Sequence, residues 1–266
     1  MTTNRPGDGP RPTDCTSRRE AGAVAGPPPA KPSDPPPAAQ RTADGVRRMF
    51  DRVAPRYDLA NTVFSLGQDK AWRQAAARAT RLVPGEVAVD VACGTGALTR
   101  ELEATAPGAL VVGMDFSQEM LKRARPTQPS RYVAADALQL PLPDASVDVV
   151  TIAFGLRNLP EPGQGLLEFR RVLRLGGRLV VCEFSQPVVP VFREVYRRYL
   201  TRLMPVAARR LTSDPEAYQY LARSIGAWPD QPGLARWLKE AGFDEVAWRH
   251  LTGGIVALHR AVARPG

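Results

Sequence analysis

Apolar positions recur at helical spacing over residues 46–83, and the pattern stops near Val83-Pro84-Gly85. Beyond it, short apolar runs alternate with amphipathic stretches. Val87–Val91 predicts a strand that enters a glycine loop, and a helix is expected from about Ala97 to Ala106. Leu110–Met114 reads as a second strand, with Ser117 able to cap the helix that follows it. Arg131–Ala134 is a weaker third strand. Val147–Phe154 is continuously apolar, as suits a strand covered on both faces. A helix around Gly165–Leu173 is expected to end at Gly176-Gly177, and Arg178–Phe184 makes the next strand.

Strands alternating with helices imply a parallel sheet with helices on both sides. The C-terminal end departs from that rule. Glu245–Leu251 and Ile255–Ala263 are joined by Thr252-Gly253-Gly254, too short a link for a parallel crossover but sufficient for a hairpin. The expected fold is therefore α/β, a doubly wound sheet finished by an antiparallel hairpin. No internal repeat is visible.

Composition divides the chain. Residues 1–44 hold ten of the 26 prolines and no Ile, Leu, Phe, Trp or Tyr. Such a segment cannot bury enough apolar surface to offset the entropy of ordering it, so it reads as a disordered Pro-rich tail. Residues 45–266 are of a size for one domain. No signal-peptide core and no spanning-length apolar run is found. Cys15, Cys93 and Cys182 are widely spaced and odd in number, which suggests neither a disulfide framework nor a metal site. The expectation is a cytosolic protein. Its net charge of +9 favours an anionic partner without choosing among nucleic acid, lipid head groups and a charged substrate.

The clearest chemistry lies in Asp90-Val91-Ala92-Cys93-Gly94-Thr95-Gly96-Ala97-Leu98-Thr99. A strand delivers the chain to a turn where Gly94 and Gly96 leave room for a ligand, and the next helix points free N–H groups at it. Thr99 stands where a dinucleotide loop would have its third glycine. Asp90 at the strand end would repel a pyrophosphate and suit a cationic amino-acid moiety. Asp115 closes the second strand 19 residues after Gly96, where a carboxylate can accept from two ribose hydroxyls. Asp136-Ala137 follows the third strand, within reach of an adenine amino group, and the fourth ends near Ala153-Phe154-Gly155. Each acid alone could be a helix cap or turn residue. Together, at successive strand ends, they predict a nucleoside site.

These residues resemble the menaquinone and ubiquinone biosynthesis C-methyltransferases, from about Met49 to Val262. The resemblance is carried by Phe50-Asp51, Tyr57-Asp58-Leu59-Ala60-Asn61, Ser65-Leu66-Gly67, Trp72-Arg73 and, above all, Phe154-Gly155-Leu156-Arg157-Asn158. Glu183-Phe184-Ser185, Tyr218–Ala222, Pro229-Asp230-Gln231 and Leu251–His259 add to it. It implies a class I, Rossmann-like S-adenosylmethionine methyltransferase, with the methyl donor contacted by Thr95, Asp115 and the Asp136-Ala137 pair. Ala153 replaces a serine frequent in the family, so a hydroxyl contact is absent there. Cys93 stands where the family often has glycine. The implied reaction is C-methylation of a prenylated quinol. The stretches Ser213–Tyr218 and Ala227–Gln231 look like those of naphthoquinol-modifying members, which points to demethylmenaquinol. A polyprenyl benzoquinol remains the alternative substrate, and a non-catalytic binding protein on the same fold the alternative class.

Methyl transfer from a sulfonium is an in-line displacement and needs no metal. Holding donor and nucleophile at roughly 3–3.5 Å can be worth about 7–11 kcal/mol. A quinol ring carbon becomes nucleophilic when a neighbouring hydroxyl, of pKa about 10, loses its proton. Arg157 is the expected stabiliser of that anion, since a guanidinium cannot take the proton itself. His259 and Asp58 are candidate bases, His250 a weaker one. Tyr57, Asn61 and Asn158 are candidates for positioning the ring.

Over residues 191–210, Phe192, Val195, Tyr196, Tyr199 and Leu203 fall on one helical face, and Arg193, Arg197, Arg198, Arg202, Arg209 and Arg210 supply a basic remainder. Such a segment can meet anionic lipid, where a prenylated substrate resides, or line a tunnel for its chain. Two other classes are disfavoured. No tyrosine has the Tyr-x-x-x-Lys spacing of short-chain oxidoreductases, and no base pocket or RNA-binding module marks a nucleic-acid methyltransferase.

Overall fold

The computed structural model describes residues 43–54, 57–125, 131–203 and 215–264. Residues 1–42 of the predicted tail and the basic positions Arg209 and Arg210 lie outside them, and the tail's last two residues, Ala43 and Asp44, open a helix. The helical run expected over 46–83 is three helices: α1 (Ala43–Val53), α2 (Tyr57–Phe64) and α3 (Gln68–Thr80). Pro55 falls between the first two, and a proline disfavours helix in the residue before it. The second break is at Leu66 and Gly67, whose φ values of 52° and 76° turn the chain left-handed.

The strands β1 (Val87–Val91), β2 (Leu110–Asp115), β3 (Tyr132–Ala134), β4 (Val147–Ala153), β5 (Leu173–Phe184), β6 (Phe243–Leu251) and β7 (Val256–Ala263) form one sheet in the order β3-β2-β1-β4-β5-β7-β6. The first five are parallel, and β7 runs antiparallel to both β5 and β6. The doubly wound sheet with a terminal hairpin is thus as the alternation predicted. One boundary differs. The helix before β5 ends at Val172, and Gly176-Gly177 sit within β5, where the register against β4 slips between Val147↔Leu173 and Val149↔Arg178. Gly176, at φ 79°, allows this excursion and does not cap a helix.

Strand alternation distributes the core between the two faces. Val89, Val91, Val150, Ile152, Leu179 and Val181 belong to one apolar cluster, with α6 (Pro162–Val172) and, beyond α7 (Pro190–Arg198) and α8 (Pro215–Ala227), the helix α9 (Gln231–Glu240). Ala88, Val149, Val180 and Cys182 belong to the other, under α3 and α4 (Ala97–Thr105). The order of the strands reverses between β1 and β4, and a crevice opens at their carboxyl ends, the usual ligand position in such sheets.

Candidate functional site

The crevice is built from strand ends. After β1 the chain turns through Ala92, Gly94 and Gly96, all at positive φ. The N–H of Gly94 donates to Asp115 Oδ2 and that of Ser117 to Asp115 Oδ1, both at 2.8 Å. One carboxylate therefore ties the glycine loop to the start of α5 (Gln118–Ala124), which Ser117 caps as expected by accepting from Met120 N–H. Burial pushes the Asp115 carboxyl up, against these bonds. Gly94, Asp115, Asp136, Ala137, Ala153 and Asn158 all line the resulting cleft, so the structure brings these six sequence candidates together. From outside the sheet, Val46, Phe50 and Tyr57 of α1 and α2 cover it. Asp51 holds that cover by accepting from Ser117 Oγ at 2.5 Å.

Three residues expected at the ligand do not line the cleft. Gly96 is needed for a different reason: a Cβ there would come within 2.2 Å of the Tyr132 hydroxyl, so it makes room for a neighbouring strand. Thr95 is buried and donates from Oγ1 to Asp58 at 2.8 Å, which fastens α2 to the glycine loop. Asp90 is turned by the pleat towards α3 and α4. Its oxygens accept from Thr99 and Thr151, each at 2.8 Å, with only 1% of the residue exposed. It therefore braces the loop from beneath.

Burial raises the Asp90 carboxyl to about 6, the two threonine bonds opposing the shift. A raised carboxyl binds its proton more tightly in the folded than in the unfolded chain. Ionising it therefore costs stability as pH rises from about 4 to about 6. Asp90→Asn is expected to flatten the pH dependence of chemical denaturation across that window. Unfolding midpoints at pH 4.5 and 7.0 that differ as much in the variant as in the parent would contradict this.

Next to the cleft lies a larger, mostly apolar cavity of about 620 Å³. Phe50, Tyr57, Phe154 and Asn158 line both chambers and so form their common wall. An aromatic cluster of Trp72, Phe154 and Phe184, with centroids 5.0–6.3 Å apart, makes one side of the cavity. Tyr57 and Asn61 of α2 line it, as does Arg157 from the short turn after β4. Burial raises the Tyr57 phenol, while Arg73, a bond from Asn61 and Arg157 pull it down.

Arg157 is 7% exposed and stacks 5.0 Å above the Phe184 ring. Its Nη1 donates to Glu183 Oε1 at 2.7 Å and to the Phe154 carbonyl at 2.5 Å, while its buried Nε has no protein partner. Glu183, at the end of β5, also accepts the N–H groups of Arg157 and Phe184. Its own carboxyl is raised by burial, with Arg157 opposing the shift. Glu183 was not among the sequence candidates, although it is a fourth acid at a strand end. Asn158 reaches the wall by donating to the Phe154 carbonyl and accepting from the Tyr220 hydroxyl at 2.9 Å.

The structure does not bring the candidate bases to the cavity. His259 projects from the face of β7 opposite Trp72, stacks on Trp248 and contacts the Gln231 carbonyl through Nε2 at 2.9 Å. Burial lowers its pKa to about 4. That environment is one of packing, and the strand register puts its neighbours on the α9 side. His250 is exposed on the outer strand β6. Asp58 is exposed and lines neither chamber, its visible role being the bond from Thr95. The carboxylate that does line the cavity is Asp69, which accepts from Ser65 Oγ at 3.1 Å and pairs with Arg73 at 2.5 Å. The four-residue spacing of Asp69 and Arg73 on α3 signals an ion pair, and no sequence signal places that pair in a cavity.

Comparison with known proteins gives a consistent picture. The model of the ubiE/COQ5 methyltransferase family matches residues 38–263. The chain is 54% identical over 216 residues to the demethylmenaquinone methyltransferase of Corynebacterium kroppenstedtii, covering 81% of this chain and 93% of that one. It is 53% identical over 220 residues to the protein of the same name from Mycobacterium sp. strain JLS, covering 83% and 94%. Among solved structures, a SAM-dependent methyltransferase from Thermotoga maritima superposes with a TM-score of 0.58 at 19% identity, over 82% of this chain and 99% of that one. That last likeness speaks for the fold alone.

Proposed function

The chain belongs to the ubiE/COQ5 methyltransferase family, and from that premise we propose that it methylates a ring carbon of a prenylated naphthoquinol, demethylmenaquinol, in menaquinone biosynthesis. It is an S-adenosylmethionine-dependent methyltransferase. The observation that carries the substrate reading is the pair of chambers sharing one wall: a polar-edged nucleoside cleft beside an apolar cavity of about 620 Å³.

The cleft fits the methyl donor. Asp115 keeps lone pairs free for ribose hydroxyls beyond its two backbone bonds, and Asp136-Ala137 stands where adenine would be read. Bound there, S-adenosylmethionine supplies an electrophilic methyl group on a positively charged sulfur. The chain's own contribution is placement and charge. Phe50, Tyr57 and Phe154 set the distance between donor and ring, and α1 and α2 exclude water from the junction. The quinol hydroxyl gives its proton to water, and the resulting negative charge, shared onto the ring carbon, is held by Arg157. The C–S bond breaks with its electron pair on sulfur, the new C–C bond forms from the ring, the ring proton leaves to restore aromaticity, and the oxygen takes a proton back from water to regenerate the hydroxyl. One proton is released per methyl transferred.

The test is turnover by the purified chain with labelled methyl donor, offered demethylmenaquinol and a demethylated benzoquinol side by side. Label in the naphthoquinol product is expected. Label in neither product would defeat the reading.

A prenylated quinol must be collected from a bilayer, and we read the protein as a cytoplasmic one that visits the membrane surface. No helix among the described residues is long and apolar enough to span it. The cavity mouth carries exposed apolar residues from two elements: Leu66, 86% exposed, and Val195 on α7, 57% exposed, both of which line the cavity. Val188, Val189 and Val191 extend the patch. Phe192, Tyr196 and Tyr199 turn inward to the cavity, while Arg197 and Arg198 are exposed and paired with Glu194, Arg198 also lining the cavity. The protein is expected to co-sediment with anionic vesicles, less so as salt rises. An Arg197→Glu, Arg198→Glu variant should pellet several-fold less. Equal pelleting of parent and variant would remove the membrane from the picture.

A further inference from the structure

Arg157 is one of two nearly buried guanidiniums at the cavity wall, a third, that of Arg198, being 64% exposed. The second, Arg73, comes from α3. Its side chain is 12% exposed, and its partner Asp69 accepts at once from Arg73 and from Ser65, so the guanidinium is fixed within the cavity lining. Trp72, its neighbour in sequence, packs on Phe154 and Phe184, and Arg157 lies over Phe184. The two cations thus line the cavity that this aromatic cluster helps to enclose. Tyr57 lines the same cavity, on the wall shared with the cleft.

We infer that Arg73 is a second holder of the ionised quinol oxygen, bracketing with Arg157 the place beside Tyr57 where the ring meets the methyl donor. This rests on the quinol reading of the cavity. The Tyr57 hydroxyl reports the field at that place: of the charges acting on it, Arg73 has the largest effect, followed by Arg157, and both favour the anion. The remaining ionisable groups around the cavity are Asp69 on α3, Glu183 behind Arg157, Asp115 across the wall, Tyr196 and Arg198 on α7, Tyr199 just after it, and Tyr220 on α8. Two of the three acids are already paired with the arginines. The third, Asp115, acts on Tyr57 with the smallest of the charge effects.

An opposite charge within about 4–6 Å shifts an ionisation by about 1–3 pH units. A quinol whose hydroxyl titrates far above neutrality gains most from two such charges. Asp69, by neutralising part of Arg73, keeps the cavity acceptable to the uncharged quinol before ionisation.

The experiment compares Arg73→Gln and Arg73→Lys with the parent in the full-length protein. The first readout is kcat/KM for the naphthoquinol against pH. In Arg73→Gln the rising limb should move up by about one unit, an about tenfold loss on that limb, and Arg73→Lys should recover most of it. The second readout is binding of an acidic hydroxynaphthoquinone, anionic at neutral pH, against that of its neutral methyl ether. Arg73→Gln should lose about tenfold or more for the anion and little for the ether, with affinity for S-adenosylmethionine kept. Equal losses for anion and ether, or an unshifted pH profile, would overturn the assignment. Absence of turnover by the parent would instead sink the quinol reading itself.

Discussion

Arg157→Met is expected to lower kcat for methyl transfer by about 10²–10³-fold, the usual cost of removing a preorganised donor from a developing oxyanion. The size of the effect follows from confinement. The guanidinium is nearly buried, tied to Glu183 and the Phe154 carbonyl and laid flat on Phe184, so no water of comparable order can replace it. The same substitution leaves the Glu183 carboxylate buried without its cation. Breaking such a pair costs about 3–5 kcal/mol, less whatever Glu183 recovers by taking a proton. Activity and stability can then be separated. Adding Glu183→Gln should restore much of the melting temperature and none of the turnover. If the double variant regained turnover, Arg157 would be a scaffold residue and no more.

The second large effect is expected at Asp115. Asp115→Ala should weaken binding of S-adenosylmethionine by about 100-fold or more, because hydrogen bonds to a charged group are worth about 1.5–3 kcal/mol each. This carboxylate also makes two of its bonds to the backbone of Gly94 and Ser117. Asp115→Asn should be nearly as damaging. Both oxygens accept from N–H groups, and an amide would point a donor at one of them. Calorimetric titration decides the matter. An Asn variant that binds within threefold of the parent would mean the loop holds its shape without the carboxylate.

Much of the fold was readable because its signals are local. Five apolar runs, most of them separated by helical stretches, point to a parallel sheet, and Thr252-Gly253-Gly254 is too short for anything but a hairpin turn. The cleft followed for the same reason: Gly94, Asp115, Asp136 and Ala153 each lie where a strand stops. What could not be read was side-chain direction. One residue decides the face of a strand, so Asp90 and His259, plausible by type and position, point into helix layers. Gly96 was read as leaving room for a ligand, whereas the group that demands a glycine there is Tyr132, 36 residues away. The cavity's charged lining was the least visible part. Asp69 and Arg73 look like any surface pair at helical spacing until the sheet beneath them supplies a pocket.

Phe50 and Tyr57 belong to α1 and α2, which are fastened to the sheet through Asp51–Ser117 and Asp58–Thr95. Whatever settles these rings against one occupant also prepares them for the other. By thermodynamic reciprocity, the factor by which the methyl donor tightens quinol binding must equal the factor by which the quinol tightens binding of the donor. Two paired side-chain contacts thereby become the linkage that makes the encounter of a water-soluble nucleoside with a lipid-borne ring cooperative.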